Sequence, residues 1–549
     1  MGGELPHSRE IRPPDPSVTS SSDAAWTSAR DQLLAFSLIF TGLFVLHAPL
    51  LRLPYFWDEA GYFIPAARDI LLTGSLIPHT TLSNAHPPLV MLWLAFWWKF
   101  SAFTPAVTRI AMLLVAAFAL TGVWRLARHV SNDAVAAATV ICTALYSVFF
   151  TQSSMAHLDM MAAAFTIWGL TMYVERRPLA TIVFLALAPV AKETAIITPM
   201  ALLGWEALCP LLGGITVAGE PLCLQKRNWL RTLSLLLCWV PIVLWLCFHH
   251  YKTGYFLGNP EYLRYNLGAT LTPLRVSLAM LIRIWHLLGY LNLFVLTLLT
   301  FYAMSLPALR EIDGSERPRI AVPVQMVFAV VILAHVVALS VLGGAVLARY
   351  MTPVLPLVVL LCVATLRRRL RHWVWCVAAV CAAFVFALVT PPPYRVAPED
   401  TLLYRDYILL HKQAETELAR HYPNARVLTA WPASDEITRP FLGYVSRPMQ
   451  VVRLENFSAA EIERAARASA EYDVALLFST KWEPPRPLWK ALPFGEALQQ
   501  RFFDYHEDAT PEQAAAMLGG RVVSYHNHNN EWVAIIVMEQ IENAQYRVR

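Results

Sequence analysis

Apolar runs long enough to cross a membrane recur along this chain, and they constrain its fold more than any other feature. A membrane-spanning helix needs about 20 predominantly apolar residues. Hydrophobic residues make up 56% of the 549 residues and charged residues only 15%, whereas soluble domains carry roughly 25% charged residues. The candidate spans are residues 33–51, 104–124, 134–151, 157–174, 179–191, 195–208, 230–248, 278–303, 320–342, 351–366 and 373–390. We therefore predict a polytopic α-helical membrane protein with about eleven transmembrane helices.

The basic residues of the connections decide between eleven spans and ten. The fifth and sixth candidates are short and could form one kinked span, which would reverse the orientation of everything after it. Cytoplasmic connections carry an excess of Lys and Arg. With eleven spans and a cytoplasmic N-terminus, the inside connections hold Arg125, Arg128, Arg176, Arg177, Lys226, Arg227, Arg231, Arg310, Arg317, Arg319, Arg367, Arg368, Arg369 and Arg371. The longer outside connections hold fewer basic residues, so we predict an integral plasma (inner) membrane protein with an extracytoplasmic C-terminal region.

The first two of three predicted parts follow from this topology. Residues 1–32 form a polar leader rich in Pro and Ser, which we expect to be disordered and cytoplasmic, and no cleavable signal peptide is evident. Residues 33–390 form the transmembrane part. Its first outer loop, residues 52–103, contains two apolar stretches that we expect to be helices on the outer membrane surface, 61–72 and 87–100.

The third part, residues 391–549, differs because strand-like and helical runs alternate along it. The runs predicted as strands are 426–430, 450–454, 474–479, 522–525 and 532–538, and those predicted as helices are 402–421, 459–472 and 511–518. Such alternation is typical of a small α/β domain. Because it follows the last span, we expect this domain to be extracytoplasmic.

Composition and motif searches exclude several classes of function. The formal net charge of +5 is small for this length and does not indicate a nucleic-acid surface. No GxGxxG, Walker or GxSxG motif occurs. The eight cysteines form neither a CxxC pair nor a zinc-type spacing, so we expect buried free thiols. The outer histidines and acids follow no short metal-ligand pattern, and we predict no metal site among them.

An adjacent pair of carboxylates, Asp58-Glu59, follows the first span directly after the aromatic run Tyr55-Phe56-Trp57. Ionisable groups at an apolar membrane boundary are costly unless they are paired or used. A carboxylate at this place could take a proton from an acceptor hydroxyl during group transfer. The alternative is that Asp58 caps the following helix, which accounts for one acid and not for both. We treat both acids as candidate catalytic residues.

Two further groups fall at outer ends of spans under the same topology. His157 and Asp159 open the fourth span, where an acid can also serve only as a partner of the helix dipole. Lys192 and Glu193 lie between the two short spans, and interrupted helices at membrane depth usually line a cavity. Asp159 is thus a candidate catalytic acid, His157 a candidate for positioning the acceptor, and Lys192 a candidate phosphate ligand. Alternatively, Lys192 and Glu193 neutralise each other at a helix break.

Basic and aromatic side chains at the same ends could hold an anionic group. Arg349-Tyr350 precedes two spaced prolines, and Arg283 lies in the outer turns of another span. These side chains could bind a lipid phosphate through charge-assisted hydrogen bonds, or act only as interfacial anchors. His86 stands before Pro87-Pro88, which fix the start of the second surface helix. His86 is a candidate for positioning the acceptor or the loop, and a purely structural role stays open.

The combination resembles the GT-C glycosyltransferases, in particular the group that contains the aminoarabinose transferase of lipid A and the protein O-mannosyltransferases. The matching pieces are Asp58-Glu59, Pro87-Pro88-Leu89, Leu158-Asp159-Met160, the break at Lys192, and Arg349-Tyr350 with its spaced prolines. The resemblance spans roughly residues 33–390. It implies a GT-C-like membrane enzyme that moves a sugar, with inversion, from a polyprenyl-phosphate donor on the extracytoplasmic face.

The same resemblance implies a role for each matching residue. Asp58 would be the base that activates the acceptor, and Asp159 a second acid that positions the acceptor or supports Asp58. The donor phosphate would be bound by Lys192, Arg349 and Tyr350. Because basic side chains surround the lipid-phosphate leaving group, no metal or organic cofactor is implied.

The sequence departs from these relatives at two positions and leaves other functions open. His86 stands where the aminoarabinose transferases usually have Lys, and Glu193 follows Lys192 where relatives more often have Gly or Pro. The sugar, the polyprenyl lipid and the acceptor (a glycan, a lipid or a protein) therefore stay open. The alternatives are a multi-span transporter that uses Asp159, Lys192 and Glu193 as an ion path, and a non-catalytic membrane binding protein. Transporters usually contain paired repeats, and the sequence shows none.

Overall fold

The computed structural model is predominantly helical and describes residues 29–539 except 225–227, 259, 261–271, 343, 486, 488–489, 491–492 and 504. The polar leader predicted to be disordered lies almost entirely outside the described residues. Some helices begin at a side chain that accepts a hydrogen bond from a free backbone N–H group. Thr104 accepts a hydrogen bond from the Val107 N–H (3.4 Å), and Asn132 accepts one from the Val135 N–H (3.1 Å).

The described part of the chain up to residue 389 is built from helices. They are α1 (Ala29–His47), α2 (Ile64–Thr73), α3 (Leu89–Phe100), α4 (Pro105–Val130), α5 (Asp133–Leu145), α6 (Ser147–Gln152), α7 (Leu158–Val174), α8 (Pro178–Ala191), α9 (Ile197–Leu208), α10 (Trp229–Ser234), α11 (Val240–Thr253), α12 (Pro273–Leu288), α13 (Leu293–Met304), α14 (Val322–Leu342), α15 (Leu355–Arg369) and α16 (Trp373–Val389). Shorter 3₁₀ and π-helical turns join several of them.

Within the described residues, six helical stretches are long and apolar enough to cross a membrane. They are Arg30–Leu50, Pro105–Val130, Glu193–Leu212, Trp229–Thr253, Pro273–Met304 and Val322–Leu342. The remaining predicted spans correspond to shorter helices: α5 with α6, α7, α8, α15 and α16. The polytopic helical architecture is therefore confirmed, whereas the count of eleven crossings stays a prediction.

Connections predicted to lie on the same side of the membrane contact one another. Arg176 donates a hydrogen bond to the carbonyl oxygen of Leu224 (3.2 Å), and Arg319 forms an ion pair with Glu220 (2.8 Å). All four residues belong to connections that the basic residues place inside. The predicted alternation requires such grouping, although the side that faces the cytoplasm stays a prediction.

The two apolar stretches of the first outer loop are helices, as their spacing predicts. α2 ends at Gly74, whose φ of 73° is left-handed and whose N–H bonds to the Ile70 carbonyl. Glycine adopts this conformation without strain, so it terminates helices efficiently. α3 begins directly after Pro88. A π-helical turn, Glu59–Phe63, leads into α2, and such turns occur frequently at functional sites.

One expectation drawn from the cysteines is wrong. Cys209 and Cys223 form a disulfide with 5.9 Å between their Cα atoms, whereas all eight thiols were expected to be free. A short hairpin of β1 (Thr216–Val217) and β2 (Glu220–Pro221) folds the connection back and brings the two side chains together. Their separation of 14 residues matches no short motif, which is why the spacing does not reveal the pair.

A five-stranded sheet forms the core of the C-terminal region. Its strands are β3 (Arg426–Ala430), β4 (Gln450–Leu454), β5 (Val474–Phe478), β6 (Gly520–His528) and β7 (Glu531–Met538). The order is β4-β3-β5-β7-β6, in which β3 is parallel to β4 and β5 while β7 is antiparallel to β5 and β6. The helices of this region are α17 (Leu403–His421), α18 (Ala433–Glu436), α19 (Ala459–Ala466), α20 (Gly495–Phe502) and α21 (Pro511–Leu518).

The C-terminal region packs on the segment ahead of the first predicted acid pair. The hydroxyl of Tyr444 donates to the carbonyl oxygen of Tyr55 (3.0 Å). The ring of Trp57 meets the rings of Tyr407 and Trp431 edge to face, at centroid distances of 5.6 and 5.1 Å. Aromatic edge-to-face contacts of this kind add to the stabilisation from burial, so this region supports the loop that carries the acids.

Candidate functional site

Arg349 is the centre of a buried cluster of charged side chains. Its side chain is only 7% exposed and forms an ion pair with Asp58. Its Nη1 lies 2.8 Å from Nδ1 of His157 and 3.7 Å from Oε1 of Glu399, and its Nε lies 3.8 Å from Oδ2 of Asp159. Four groups from three distant parts of the chain therefore surround one cation.

The candidate residues Asp58, Asp159, Lys192 and Arg349 each stand at the end or at a break of a helix. Asp58 directly precedes the π-helical turn, and Asp159 lies in the first turn of α7, where the helix dipole favours a carboxylate. Lys192 has extended backbone between α8 and a short 3₁₀ turn, and Arg349 lies in a 3₁₀ turn between α14 and α15. Irregular backbone at membrane depth is tolerated where it is buried in protein or lines a cavity, so these breaks can aim side chains at one point.

Three cations surround the ring of Tyr350. Lys192 Nζ lies 3.8 Å from the ring centroid, and the guanidinium carbons of Arg283 and Arg349 lie 5.4 and 5.8 Å from it. Lys192 Nζ also bonds to Oδ1 of Asp159 at 2.6 Å, which fixes its position. Basic side chains of this kind bind anions such as phosphate, and here the carboxylates of Asp58, Asp159 and Glu399 balance their charge.

Arg283 supports the turn that carries Arg349. Arg283 is fully buried, and its guanidinium donates to the carbonyl oxygens of Leu347 (2.7 Å) and Ala345 (3.3 Å). Hydrogen bonds from a charged donor to buried carbonyls hold an irregular segment in one conformation. Arg283 thus fixes the backbone immediately ahead of Arg349 in addition to adding positive charge.

Asp58 is the accessible acid of the cluster. Its side chain is 32% exposed, compared with 6% for Asp159 and 10% for Glu399. A base that removes a proton from an incoming acceptor has to come within hydrogen-bond reach of that proton. Asp58 meets this requirement, whereas the two buried acids are placed to orient the cations.

Glu59 lies outside this cluster, unlike its neighbour Asp58. It is fully buried and forms a two-point ion pair with Arg109 of α4, in which Arg109 Nη2 donates to Oε2 at 2.8 Å. The backbone N–H of Phe56 donates to the same oxygen at 2.9 Å, and that of Ala156 donates to Oε1. Because both carboxylate oxygens are engaged, we assign Glu59 a structural role in place of the catalytic role expected from the sequence.

The two predicted histidines occupy different positions. His157 lies inside the cluster, where its Nδ1 is 2.8 Å from both Arg349 Nη1 and Oε1 of Gln152. His86 instead faces Glu193, with Nδ1 at 3.1 Å from the carboxylate. His86 therefore links the start of α3 to the break beside Lys192.

Two charged residues have no counterpart among the sequence-based predictions: Glu399, which belongs to the cluster, and Arg109, which pairs with Glu59 outside it. Glu399 lies in the turn Pro398–Asp400, after the proline-rich exit from α16, and its carbonyl oxygen accepts a hydrogen bond from Thr151. The available signal was the acidic pair Glu399-Asp400 just beyond the last span, the same kind of signal as Asp58-Glu59. Arg109 could have been noticed as an arginine within an apolar span.

Asp400 gives the stability of the fold an expected dependence on pH. It is 1% exposed, and burial, reinforced by the neighbouring Glu399, raises its pKa to about 8. An unfolded aspartate titrates near about pH 4. Between these values the folded state keeps a proton that the unfolded state has lost, so stability falls as the pH rises.

We therefore expect Asp400→Asn to raise the melting temperature of the detergent-solubilised protein more at about pH 9 than at about pH 5. The amide can still accept the hydrogen bond that the Tyr290 hydroxyl donates to Asp400 (2.7 Å). Asp133→Asn, at a side chain that is 71% exposed, serves as the control and should not shift the melting temperature. An equal gain for Asp400→Asn at both pH values would contradict the assignment.

Comparison with known proteins shows the fold. No protein-family model matches the chain, and no curated protein matches its sequence. Among solved structures it is similar to ArnT from Cupriavidus metallidurans bound to undecaprenyl phosphate, with a TM-score of 0.52 and 13% identity over 92% of this chain and 98% of that one. The apo state of the same protein gives a TM-score of 0.51 and 14% identity over 93% and 98% of the two chains.

A third similar structure is the oligosaccharyltransferase of Archaeoglobus fulgidus, with a TM-score of 0.44 and 12% identity over 81% of this chain and 67% of that one. Its similarity is too low to support an inference. The ArnT comparisons extend over nearly the whole of both chains, and they confirm at the level of the fold the GT-C resemblance that the sequence predicts.

Proposed function

We propose that this chain is an integral-membrane glycosyltransferase that moves a sugar from a polyprenyl-phosphate donor to an acceptor on the extracytoplasmic face. One observation carries the proposal. Asp58, Asp159, Lys192 and Arg349, which are far apart in sequence, meet in a single buried cluster. The fold around the cluster is shared with ArnT, a protein solved with undecaprenyl phosphate.

Asp58 is the proposed base. As the hydroxyl oxygen of the acceptor attacks the anomeric carbon of the sugar, Asp58 takes the hydroxyl proton. The bond between the anomeric carbon and the phosphate oxygen breaks, and polyprenyl phosphate leaves with the electron pair. Attack opposite the leaving group inverts the anomeric configuration. Arg349 holds the Asp58 carboxylate in place through their ion pair.

The basic patch around Tyr350 is the proposed site for the donor phosphate. Lys192 and Arg349 carry the charge, and the Tyr350 ring lies between them with its side chain half-buried. Preorganised cations stabilise the negative charge that develops on a leaving phosphate without rearrangement during the reaction. The patch therefore supplies by side chains alone what a metal ion supplies in many phosphate sites, and we propose that no cofactor takes part in the transfer.

Removing one cation should weaken donor binding. We expect Lys192→Ala to reduce the affinity for undecaprenyl phosphate about 10- to 100-fold, because a charge-assisted hydrogen bond contributes about 1.5–3 kcal/mol. Native mass spectrometry in detergent at graded lipid concentrations measures the change. Lys412→Ala, at an exposed lysine of α17, is the matched control. Equal affinities of the two variants would remove Lys192 from the phosphate site.

An assay of sugar transfer distinguishes the proposed glycosyltransferase from a transporter and from a non-catalytic binding protein. Purified protein is incubated with radiolabelled polyprenyl-phosphate sugars, one at a time, together with a membrane extract that contains endogenous acceptors. We expect label from one donor to become covalently attached to an acceptor. Movement of an intact solute across proteoliposomes without any transfer would favour a transporter, and lipid binding without transfer would favour a non-catalytic membrane protein.

A further inference from the structure

A second buried group of titratable side chains lies in the C-terminal region, separate from the Arg349 cluster. His411 and Glu415 stand one turn apart on the same face of α17, and Glu436 is the last residue of α18. All three side chains are completely buried. His411 Nδ1 lies 2.7 Å from Oε2 of Glu436 and 3.6 Å from Oε1 of Glu415. One possible ligand atom from each residue lies within 4.8 Å of the others.

The polar atoms of this group lack partners in the described structure. Neither carboxylate oxygen of Glu415 has a hydrogen-bond partner, and the same holds for Oε1 of Glu436 and Nε2 of His411. Burial of an uncompensated carboxylate costs several kcal/mol. These three side chains are fully buried and converge on one point, and several of their polar atoms have no hydrogen-bond partner. Such an arrangement indicates a missing positive charge.

A proton satisfies this group poorly. The ligand atoms of Glu415 and Glu436 lie within 4.8 Å of each other, so two ionised carboxylates repel each other there unless a cation lies between them. A single shared proton neutralises one of the two.

We propose that His411, Glu415 and Glu436 bind a divalent transition-metal ion such as Zn²⁺. A mixed set of imidazole and carboxylate ligands suits zinc better than magnesium or calcium, which prefer oxygen alone. Bonds of about 2.0–2.2 Å to a tetrahedral ion place its ligand atoms roughly 3.4 Å apart, close to the distances from His411 Nδ1. A water molecule completes the four ligands.

Binding of the ion changes the position of the protons on its ligands. The proton on Nδ1 of His411 moves to Nε2 as Nδ1 becomes the ligand, and the ring stays neutral. Any proton held by Glu415 is released to the solvent, as metal binding requires deprotonated ligands. The ion then neutralises both carboxylates.

The ion would join two elements that support the loop of Asp58. The ring of His411 stacks on Tyr407 at a centroid distance of 3.9 Å, and Tyr407 packs on Trp57. The ring of Trp431, just ahead of α18, also packs on Trp57. Because Tyr407 of α17 and Trp431 both pack on Trp57, the proposed ion has a structural role and does not depend on the proposed transfer reaction.

Metal content of the full-length protein tests the site. Detergent-purified protein is stripped with a chelator during purification, incubated with Zn²⁺, desalted and analysed by elemental mass spectrometry. We expect about one tightly held zinc per chain in the wild type and in Glu463→Gln, a control at a surface glutamate that is 65% exposed. Glu415→Gln should lose this zinc, and added Zn²⁺ should raise the melting temperature of the wild type and the control only.

Two results would overturn the proposal. The first is wild-type protein that retains no zinc after desalting, which decides the matter even if Glu415→Gln does not fold. The second is a Glu415→Gln variant that retains as much zinc as the wild type. X-ray absorption at the zinc edge provides an independent readout, because nitrogen and oxygen ligands are expected and sulfur ligands would place the ion at cysteines instead.

Discussion

Replacing Asp58 with Asn is expected to abolish sugar transfer while the fold remains intact. The amide keeps the size of the side chain and can still accept a hydrogen bond from Arg349, but it cannot take a proton from the acceptor. Loss of a general base typically lowers the rate about 100- to 10,000-fold. Transfer of label from the active polyprenyl-phosphate donor, measured at equal protein concentration, gives the ratio directly.

The control for this experiment is a second aspartate with no link to the cluster. Asp133→Asn changes an exposed side chain that pairs with Arg128 at the start of α5, and it should transfer sugar at the wild-type rate. Binding of undecaprenyl phosphate should survive in Asp58→Asn, because Lys192 and Tyr350 are unchanged. If Asp58→Asn transfers sugar within a few-fold of the wild type, Asp58 is not the base.

Removing the partner of Glu59 should destabilise the protein more than any surface change. Arg109 is 1% exposed and engages both oxygens of a fully buried carboxylate. Truncation to alanine leaves that carboxylate buried and unpaired, which costs about 3–5 kcal/mol. We therefore expect Arg109→Ala to lower the melting temperature strongly, or to prevent recovery of folded protein.

The comparison is an exposed ion pair formed by Arg128, which lies on the same helix, α4, as Arg109. Arg128 also forms an ion pair, with Asp133 at 2.6 Å, but the two side chains are 32% and 71% exposed. Exposed pairs contribute only about 0–1 kcal/mol, so Arg128→Ala should melt close to the wild type. Combining Arg109→Met with Glu59→Gln should recover part of the loss, because it removes the unpaired charge. Equal melting temperatures for Arg109→Ala and Arg128→Ala would contradict the structural role of Glu59.

The fold was predictable to the extent that hydrophobic spacing determines it. The strands 426–430 and 450–454 have the predicted bounds, and α21 coincides with the predicted helix 511–518. Periodicity reveals such elements because side chains repeat with the period of the element that they build. It does not reveal how many helices cross the membrane, since several apolar helices are shorter than a full span.

The sequence indicated which residues of the candidate site come together, and it did not distinguish the surroundings of each one. Asp58 and Glu59 are adjacent and chemically alike, and only the contact of Glu59 with Arg109, 50 positions further along the chain, separates their roles. Glu399 joins the cluster because the turn after α16 folds back on Arg349. Long-range contacts of this kind depend on tertiary packing, and local sequence patterns do not encode them.

A structure of the Asp58→Asn variant with undecaprenyl phosphate bound tests the central claim most directly. The variant binds the lipid without turning over a donor, so the complex persists. We predict that the phosphate lies within about 3 Å of Lys192 Nζ and the Tyr350 hydroxyl, on the side of the cluster that holds residue 58. A lipid phosphate bound at the opposite, arginine-rich end of the helices, or separated from residue 58 by packed helices, would contradict the proposed site.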